Sequence, residues 1–414
     1  MALINEHFLK LPVNSFFSEM EKRLNSFRVT HPKTSIINLG KEDVTLPLPQ
    51  VAAEAMIKAV RELTQKETFR GYAPVHGYDF LIEAVLKNDF AAKGIHLSAG
   101  EVFITNGAKE AMSNIGDLLR HDNSICVTDP IYPHYVDSNV TVGRAGAIED
   151  DGKWSNVVYM PCSYENNFVP QLPDQRVDIV YLCCPDNPTG TTFSKAELKK
   201  WISYALENDT LILYDATYEA YIQDPDLPHS IYEIKGARKV AIEFRSFSMN
   251  ASFTGIRCGY VIIPKELTAA TLAGERIPLN QRWERLAQIR FGAASYIAQR
   301  AAEALYTPDG KKAVREMTGY YMKNARFMKD ELLGLGLQVY GGENAPFLWV
   351  KTPKGVSSMK FFNNMLYETG VVCTPGVGFG PGGEGYVQIT AFSDRKDCEE
   401  AMRRIRELTF QNNK

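Results

Sequence analysis

The sequence predicts an α/β protein in two parts: a large unit on a mainly parallel sheet, and a smaller α+β unit. Three observations predict this. Short apolar, β-branched runs alternate with helix-length amphipathic segments between about residues 100 and 263. Near Tyr296 the pattern changes to long charged helices around brief strand-like runs. The length, 414 residues, exceeds what one simple core accommodates.

In order along the chain, Glu101–Thr105, Ser124–Thr128, Ile179–Cys184, Leu211–Tyr214, Lys239–Phe244 and Cys258–Ile263 read as short buried strands. Between them Ala108–Leu119 and Ser194–Leu206 carry helical spacing, with Ser194 as an N-cap for the second. Strands without a polar face need cover on both sides, which strand–helix alternation supplies. In the second part, helices are expected at about Lys312–Leu335, Ser357–Thr369 and Ser393–Leu408, around strands Leu337–Tyr340, Phe347–Val350 and Tyr386–Ile389. Gly376–Gly385 reads as a loop. The expected division is an N-terminal arm joining the small unit (1–45), a large cofactor-binding unit (46–290) and a small C-terminal unit (291–414).

Composition narrows the class of function. Forty-six basic residues against forty-nine acidic ones leave a formal charge of −3, which gives no general attraction to nucleic acid or anionic membrane. No apolar run is long enough to span a bilayer, and the first residues lack a charged-then-apolar leader, so a cytoplasmic location is expected. The seven cysteines are scattered through apolar stretches without paired ligand spacing, so they read as reduced thiols and no metal site is expected.

Four segments carry chemistry. In Thr105-Asn-Gly-Ala-Lys109 a strand gives way to a helix through a glycine, and the exposed N–H groups of the helix start form an anion site beside Lys109. An ordinary strand-to-helix turn looks the same. Cys184-Pro-Asp-Asn-Pro-Thr-Gly190 is a tight turn that sets Asn187 at a strand's carboxyl end, where α/β sheets bind ligands. Leu211-Ile-Leu-Tyr-Asp215 ends a wholly apolar strand with a carboxylate, which needs a partner when buried. That partner is either a salt bridge within the protein or a protonated heterocyclic nitrogen, with Tyr218 in reach of the same ring. In the segment 244–260, Ser246, Ser248 and Arg257 are polar groups between apolar strands that can converge on one phosphate.

Together, in this order and spacing, the four segments resemble the fold type I pyridoxal-phosphate (PLP) aminotransferases of class I/II over nearly the full length. Within that group the similarity is greatest to the LL-diaminopimelate aminotransferases. It is carried by Asp43-Val-Thr-Leu-Pro-Leu-Pro49, Thr128-Asp-Pro-Ile-Tyr-Pro-His-Tyr-Val-Asp137, Phe253-Thr-Gly-Ile-Arg-Cys-Gly-Tyr260, Asn344-Ala-Pro-Phe-Leu-Trp-Val350 and the glycine-rich run 374–385. The resemblance implies a seven-stranded, mainly parallel sheet, an amino-acid or amine substrate and a homodimer. It implies that Ala108, Lys109, Ser246, Ser248 and Arg257 meet the cofactor phosphate, with Tyr72 of the partner subunit near it. Tyr132 would stack on the pyridine ring, Asn187 and Tyr218 would hold its phenolate oxygen, and Asp215 its nitrogen.

The departures are as informative. Where the family reads Ser-Phe-Ser-Lys, this chain has Ser246-Phe-Ser-Met249. That lysine forms the internal aldimine and shuttles the proton, and a thioether does neither. General acid–base transfer alone is typically worth about 10²–10⁴-fold, so ordinary turnover is expected to be very slow or absent. Gln388 replaces the arginine that grips the substrate α-carboxylate, Lys41 falls where the family lines the substrate site, and Val75 stands for a substrate-contacting glutamate.

Three readings follow. The chain is an ordinary diaminopimelate transaminase disabled by a Lys-to-Met change at 249, a divergent member with a changed substrate, or a non-catalytic binder of PLP or its amine form. The second is favoured: the cofactor, as pyridoxal or pyridoxamine 5′-phosphate, would be held non-covalently. The substrate site would comprise Lys41, His76, Asn187 and Gln388. His76, Lys41 or a base of the substrate itself could take over the proton shuttle, and Lys41 or Arg70 the charge lost at 388.

Overall fold

The computed structural model describes residues 1–13, 15–41 and 43–407, so Glu42 and the predicted helix end at Leu408 lie outside the described residues. Continuous apolar runs leave no face for water, and here they form a central sheet buried on both sides. Among the described residues this sheet has seven strands: β1 (Val102–Thr105), β2 (Ile125–Asp129), β3 (Val157–Pro161), β4 (Ile179–Cys183), β5 (Leu211–Asp215), β6 (Ala241–Ser246) and β7 (Gly259–Ile262). Their spatial order is β1-β7-β6-β5-β4-β2-β3, and only β7 runs against the others. The mainly parallel seven-stranded sheet is the one expected. The carboxyl ends of β2, β4, β5 and β6 therefore share one edge.

Alternate residues of each strand feed different cores. Val180, Leu182, Ile212 and Tyr214 join Trp201 and Phe253 on one side, and Tyr181, Leu213 and Phe244 join Trp283 on the other. The helix Lys195–Asn208 covers the first side with Leu198, Trp201, Ile202 and Ala205, spaced as one helical face. It begins as expected at Ser194, whose hydroxyl accepts from Glu197 N while the Glu197 carboxylate accepts from Ser194 N. Such a cap is worth about 1 kcal/mol.

The second part is built on an antiparallel sheet of β8 (Val339–Gly341), β9 (Phe347–Lys351), β10 (Thr374–Pro375) and β11 (Tyr386–Thr390), in the order β8-β9-β11-β10. Its core takes Leu24, Phe27, Ile37 and Leu39 from the N-terminal arm, together with Met328, Leu348, Val387 and Ile405. Residues 294–305 pack elsewhere: Ala294, Ala298, Ala301 and Leu305 belong to the large-sheet core beside Ala52 and Leu81.

Several elements differ from the sequence pattern. The strand β3 lies outside the expected set: its run 157–160 is apolar, but it sits at the sheet edge with its middle residues half-buried, and Pro161 ends it. The Ala108–Leu119 helix is α-helical only to Ile115, where the chain tightens at Gly116–Leu118 and the Arg144 guanidinium donates to Gly116 O. The helix expected at 312–335 begins earlier and spans Pro308–Gly334, opened by Thr307 as cap with Pro308 in the first turn. All seven cysteines are free and buried, and burial pushes the Cys126 thiol up to about 12.

Candidate active site

A cavity of about 200 Å³ opens at the carboxyl edge of the main sheet, lined by Ala108, Lys109, Tyr132, Asn187, Asp215, Tyr218, Ser246, Ser248, Met249 and Arg257. Five distant stretches of sequence meet there because parallel strands all deliver their following loops to one edge. Another cavity, of about 340 Å³, lies near the starts of β4 and β5, and apart from the exposed Lys239 its charged side chains are matched: Arg120 with Asp122, Arg176 with Asp178, Arg276 with Asp209. A site with most of its charges already paired offers a ligand little.

One part of the first cavity is an anion cradle. Gly107 precedes the Ala108–Ile115 helix with φ 105°, and a Cβ on it would lie 2.5 Å from the Arg257 guanidinium. Only glycine takes that backbone and leaves that space. Arg257, itself left-handed at φ 66°, donates to Ser248 Oγ at 3.1 Å, and Ser248 N donates to Ser246 Oγ at 3.1 Å. The helix start, Lys109 and Arg257 thus put positive charge beside two hydroxyls.

Another part is a buried acid. The Asp215 carboxylate accepts from Tyr135 Oη at 2.6 Å and, through its other oxygen, from Thr217 N at 2.9 Å and Thr217 Oγ1 at 2.6 Å. Burial raises its pKa, while Thr217 and Tyr135 pull it back down. Among the described residues no cationic side chain lies within ion-pair distance of it, so the salt bridge within the protein is not its partner. An unpaired buried carboxylate and a cationic cradle on one cavity suit a ligand with a protonated ring nitrogen and a dianionic tail.

Met249 is 6% exposed and packs with Tyr218, Tyr221, Met317, Tyr321, Phe347 and Phe392. Its wall of the cavity is therefore apolar and aromatic, and it carries no nucleophile.

The remaining expected residues do not line this cavity. Tyr72 is fully exposed. His76 stacks on Phe103 with ring centroids 4.1 Å apart, and its Nδ1 lies 3.1 Å from Val102 O, at the start of β1. Its Nε2 sits 3.7 Å from Glu284, so within its own chain it faces away from the cavity. Lys41 extends into solvent and pairs with Asp43 at 3.2 Å, and Arg70 is exposed. Gln388 is fully buried, where its amide donates to Asn187 Oδ1 at 3.0 Å and to Pro188 O at 3.2 Å.

Sequence reasoning passed over Tyr135, Thr217 and His134, which also line the cavity. Tyr135 and Thr217 flank assigned residues, but only the fold turns them towards Asp215. Burial, and then the nearby Lys109 charge, lower the His134 pKa to about 4, so its ring is neutral at pH 7.

The family model for class I and II aminotransferases matches residues 34–405. The chain belongs to that family. Its members use pyridoxal 5′-phosphate, the kind of ligand that the cradle and the acid suit. Among aminotransferases it is similar to the LL-diaminopimelate aminotransferase of Phocaeicola vulgatus, 68% identical over 98% of this chain and 99% of that one. That of Methanosphaera stadtmanae is 49% identical over the same shares. The solved L,L-diaminopimelate aminotransferase from Chlamydomonas reinhardtii superposes with a TM-score of 0.92 at 38% identity, covering 98% of each chain. The fold is the fold type I aminotransferase architecture.

Proposed function

We propose that this aminotransferase-family protein holds pyridoxal 5′-phosphate or its amine form without a covalent bond, and acts on an amino acid or amine other than the usual substrate. The observation that carries this reading is Met249 on an otherwise well-furnished cavity wall. The cradle of Ala108 N, Lys109, Ser246, Ser248 and Arg257 fits the phosphate, and Asp215 fits a protonated ring nitrogen. The cofactor, when bound, supplies an electron sink. Asp215 would keep that sink charged, Tyr135 and Thr217 would keep Asp215 ionised, Tyr132 would cover the ring, and Asn187 and Tyr218 would orient its phenolate oxygen. No group at position 249 can take or return a proton, so turnover of the usual kind stops there.

The same reading includes a cytoplasmic homodimer and the division at about 45 and 290, with 294–305 packed on the large core. Exposed Phe69 and Tyr72, with Ile57 and Val60 on the helix Gln50–Leu63, support a second copy covering that face.

A second reading is an LL-diaminopimelate aminotransferase whose disabling change is the Lys-to-Met replacement at 249. The identity to relatives of that name, 62–68% over 98% of the chain, favours it. The test is to add pyridoxal phosphate to the purified protein, record the spectrum and treat with borohydride. Binding without a reducible bond is expected, and a borohydride-trapped mass increase would overturn it. Met249→Lys is then assayed with LL-diaminopimelate: brisk transamination selects the second reading, and cofactor attachment without it selects the first.

A further inference from the structure

A third cavity, of about 210 Å³, adjoins the first, and Thr217 and Ser246 line both. At about 30 Å³ for each water-sized atom, it has room for roughly seven non-hydrogen atoms. Its inner wall depends on a change in helix geometry. The helix Asp79–Val85 widens into a π turn at Leu86–Phe90, which brings Asp89 to the cavity. Such turns recur at functional sites. Asp89 Oδ2 accepts from Tyr260 Oη at 2.6 Å and from Tyr306 Oη at 2.5 Å, which leaves Oδ1 to take a further donor.

Neither tyrosine neutralises the carboxylate, and the Arg245 guanidinium on the same wall is held by Glu219 and Glu243, each at 2.7 Å. Burial raises the Asp89 pKa by more than Arg245 and the tyrosines lower it, so the charged form gains from a cation brought to it. Asn250 lines the same cavity, and its Oδ1 is buried without a hydrogen-bond partner among the described residues.

The outer end has the opposite sign. Lys311 and Arg315 lie one turn apart on the helix Pro308–Gly334, so they share a face, and both are exposed at the cavity. Lys311 Nζ donates to Asn88 Oδ1 at 2.6 Å, which fastens this rim to the residue beside Asp89. An ammonium has three N–H groups, so two remain for a ligand. The cavity thus passes from a carboxylate inside to an ammonium and a guanidinium outside. An ion of one sign suits only one end, and a molecule with an ammonium at one end and a carboxylate at the other suits both. These groups come from one chain, and the cofactor cavity uses none of them.

We infer that the third cavity is a second ligand site, taking a small zwitterionic amino acid with its ammonium on Asp89 and its carboxylate between Lys311 and Arg315. It does not depend on what the first cavity holds.

The test is calorimetry of γ-aminobutyrate on the full chain, compared with butylamine and butyrate, which each keep one of its charges. γ-Aminobutyrate is expected to bind at least about tenfold more tightly than either. Asp89→Asn keeps an acceptor for the two tyrosines and should weaken this binding about tenfold or more. Arg315→Ala, on the exposed helix face, should weaken it about threefold. No binding, binding no tighter than that of butylamine or butyrate, or binding unchanged by both substitutions overturns the inference. Loss of binding on adding pyridoxamine 5′-phosphate would place the amino acid in the cofactor cavity and overturn it as well. Arg315→Ala and the three-ligand comparison decide the matter even if Asp89→Asn fails to fold.

Discussion

The Tyr135 hydroxyl donates to Asp215 Oδ2 at 2.6 Å, joining the helix after β2 to the end of β5. Thr217 occupies the other carboxylate oxygen from the loop that follows. The acid is thus held from two sides and still has no cation. Asp215→Asn should leave the ligand-free protein as stable or more so, since burial opposes the charged form. The same change should weaken pyridoxal phosphate binding by about 1–3 kcal/mol, roughly 5- to 150-fold. Thermal unfolding with and without cofactor reads both; equal loss in the two conditions would mean a purely structural acid.

Gly107→Ala tests the cradle. The added methyl would sit 2.5 Å from Arg257 at a φ of 105°, so either the guanidinium moves or the helix start does. The strain should cost about 1–3 kcal/mol of stability. Affinity for inorganic phosphate and for pyridoxal phosphate should fall together, which titration of each would reveal. Undiminished phosphate binding would dissociate the cradle from the anion.

His134 gives a pH dependence. Its folded pKa, about 4, lies below the ordinary value of 6.5, so the unfolded chain binds the proton more readily. Stability from this group is complete above pH 6.5 and is lost as pH falls towards 4, by up to about 3 kcal/mol. Urea unfolding across that range, compared with His134→Gln, should show a shallower acid loss in the variant.

Arg245 is buried beside two acids, 2.7 Å from Glu243 and 2.7 Å from Glu219. Arg245→Met would leave Glu243 without a cation, while Glu219 keeps His229 at 2.8 Å and Lys93 at 3.9 Å, and should destabilise by about 3–5 kcal/mol. Adding Glu243→Gln should recover part of that, because the stranded charge is removed. Denaturant midpoints of the single and double variants measure the coupling, and strict additivity would argue against it.

Much of this molecule can be read from its residues alone. Uninterrupted apolar runs such as 179–183 and 211–214 require cover on both faces, which fixes a parallel sheet with helices around it. Asp215 stands out in sequence because it ends such a run, and Met249 because it breaks a known motif. The strand β3 escapes such a reading although 157–160 is an apolar run, because four such residues do not by themselves distinguish a strand from another buried segment.

What the fold alone decided is which polar groups already have partners. Sequence places Gln388 and Asn187 201 residues apart, and only the packing of β11 against the strand-end turn spends both Gln388 hydrogens. His76 and Lys41 are suitable in chemistry for a substrate site, yet Phe103 and Val102 hold the first and Asp43 the second away from the cavity. The physical reason is range: burial and periodicity act over a few neighbouring residues and leave a mark in the sequence. Hydrogen-bond satisfaction depends on which distant groups the folded chain brings within 3 Å or so.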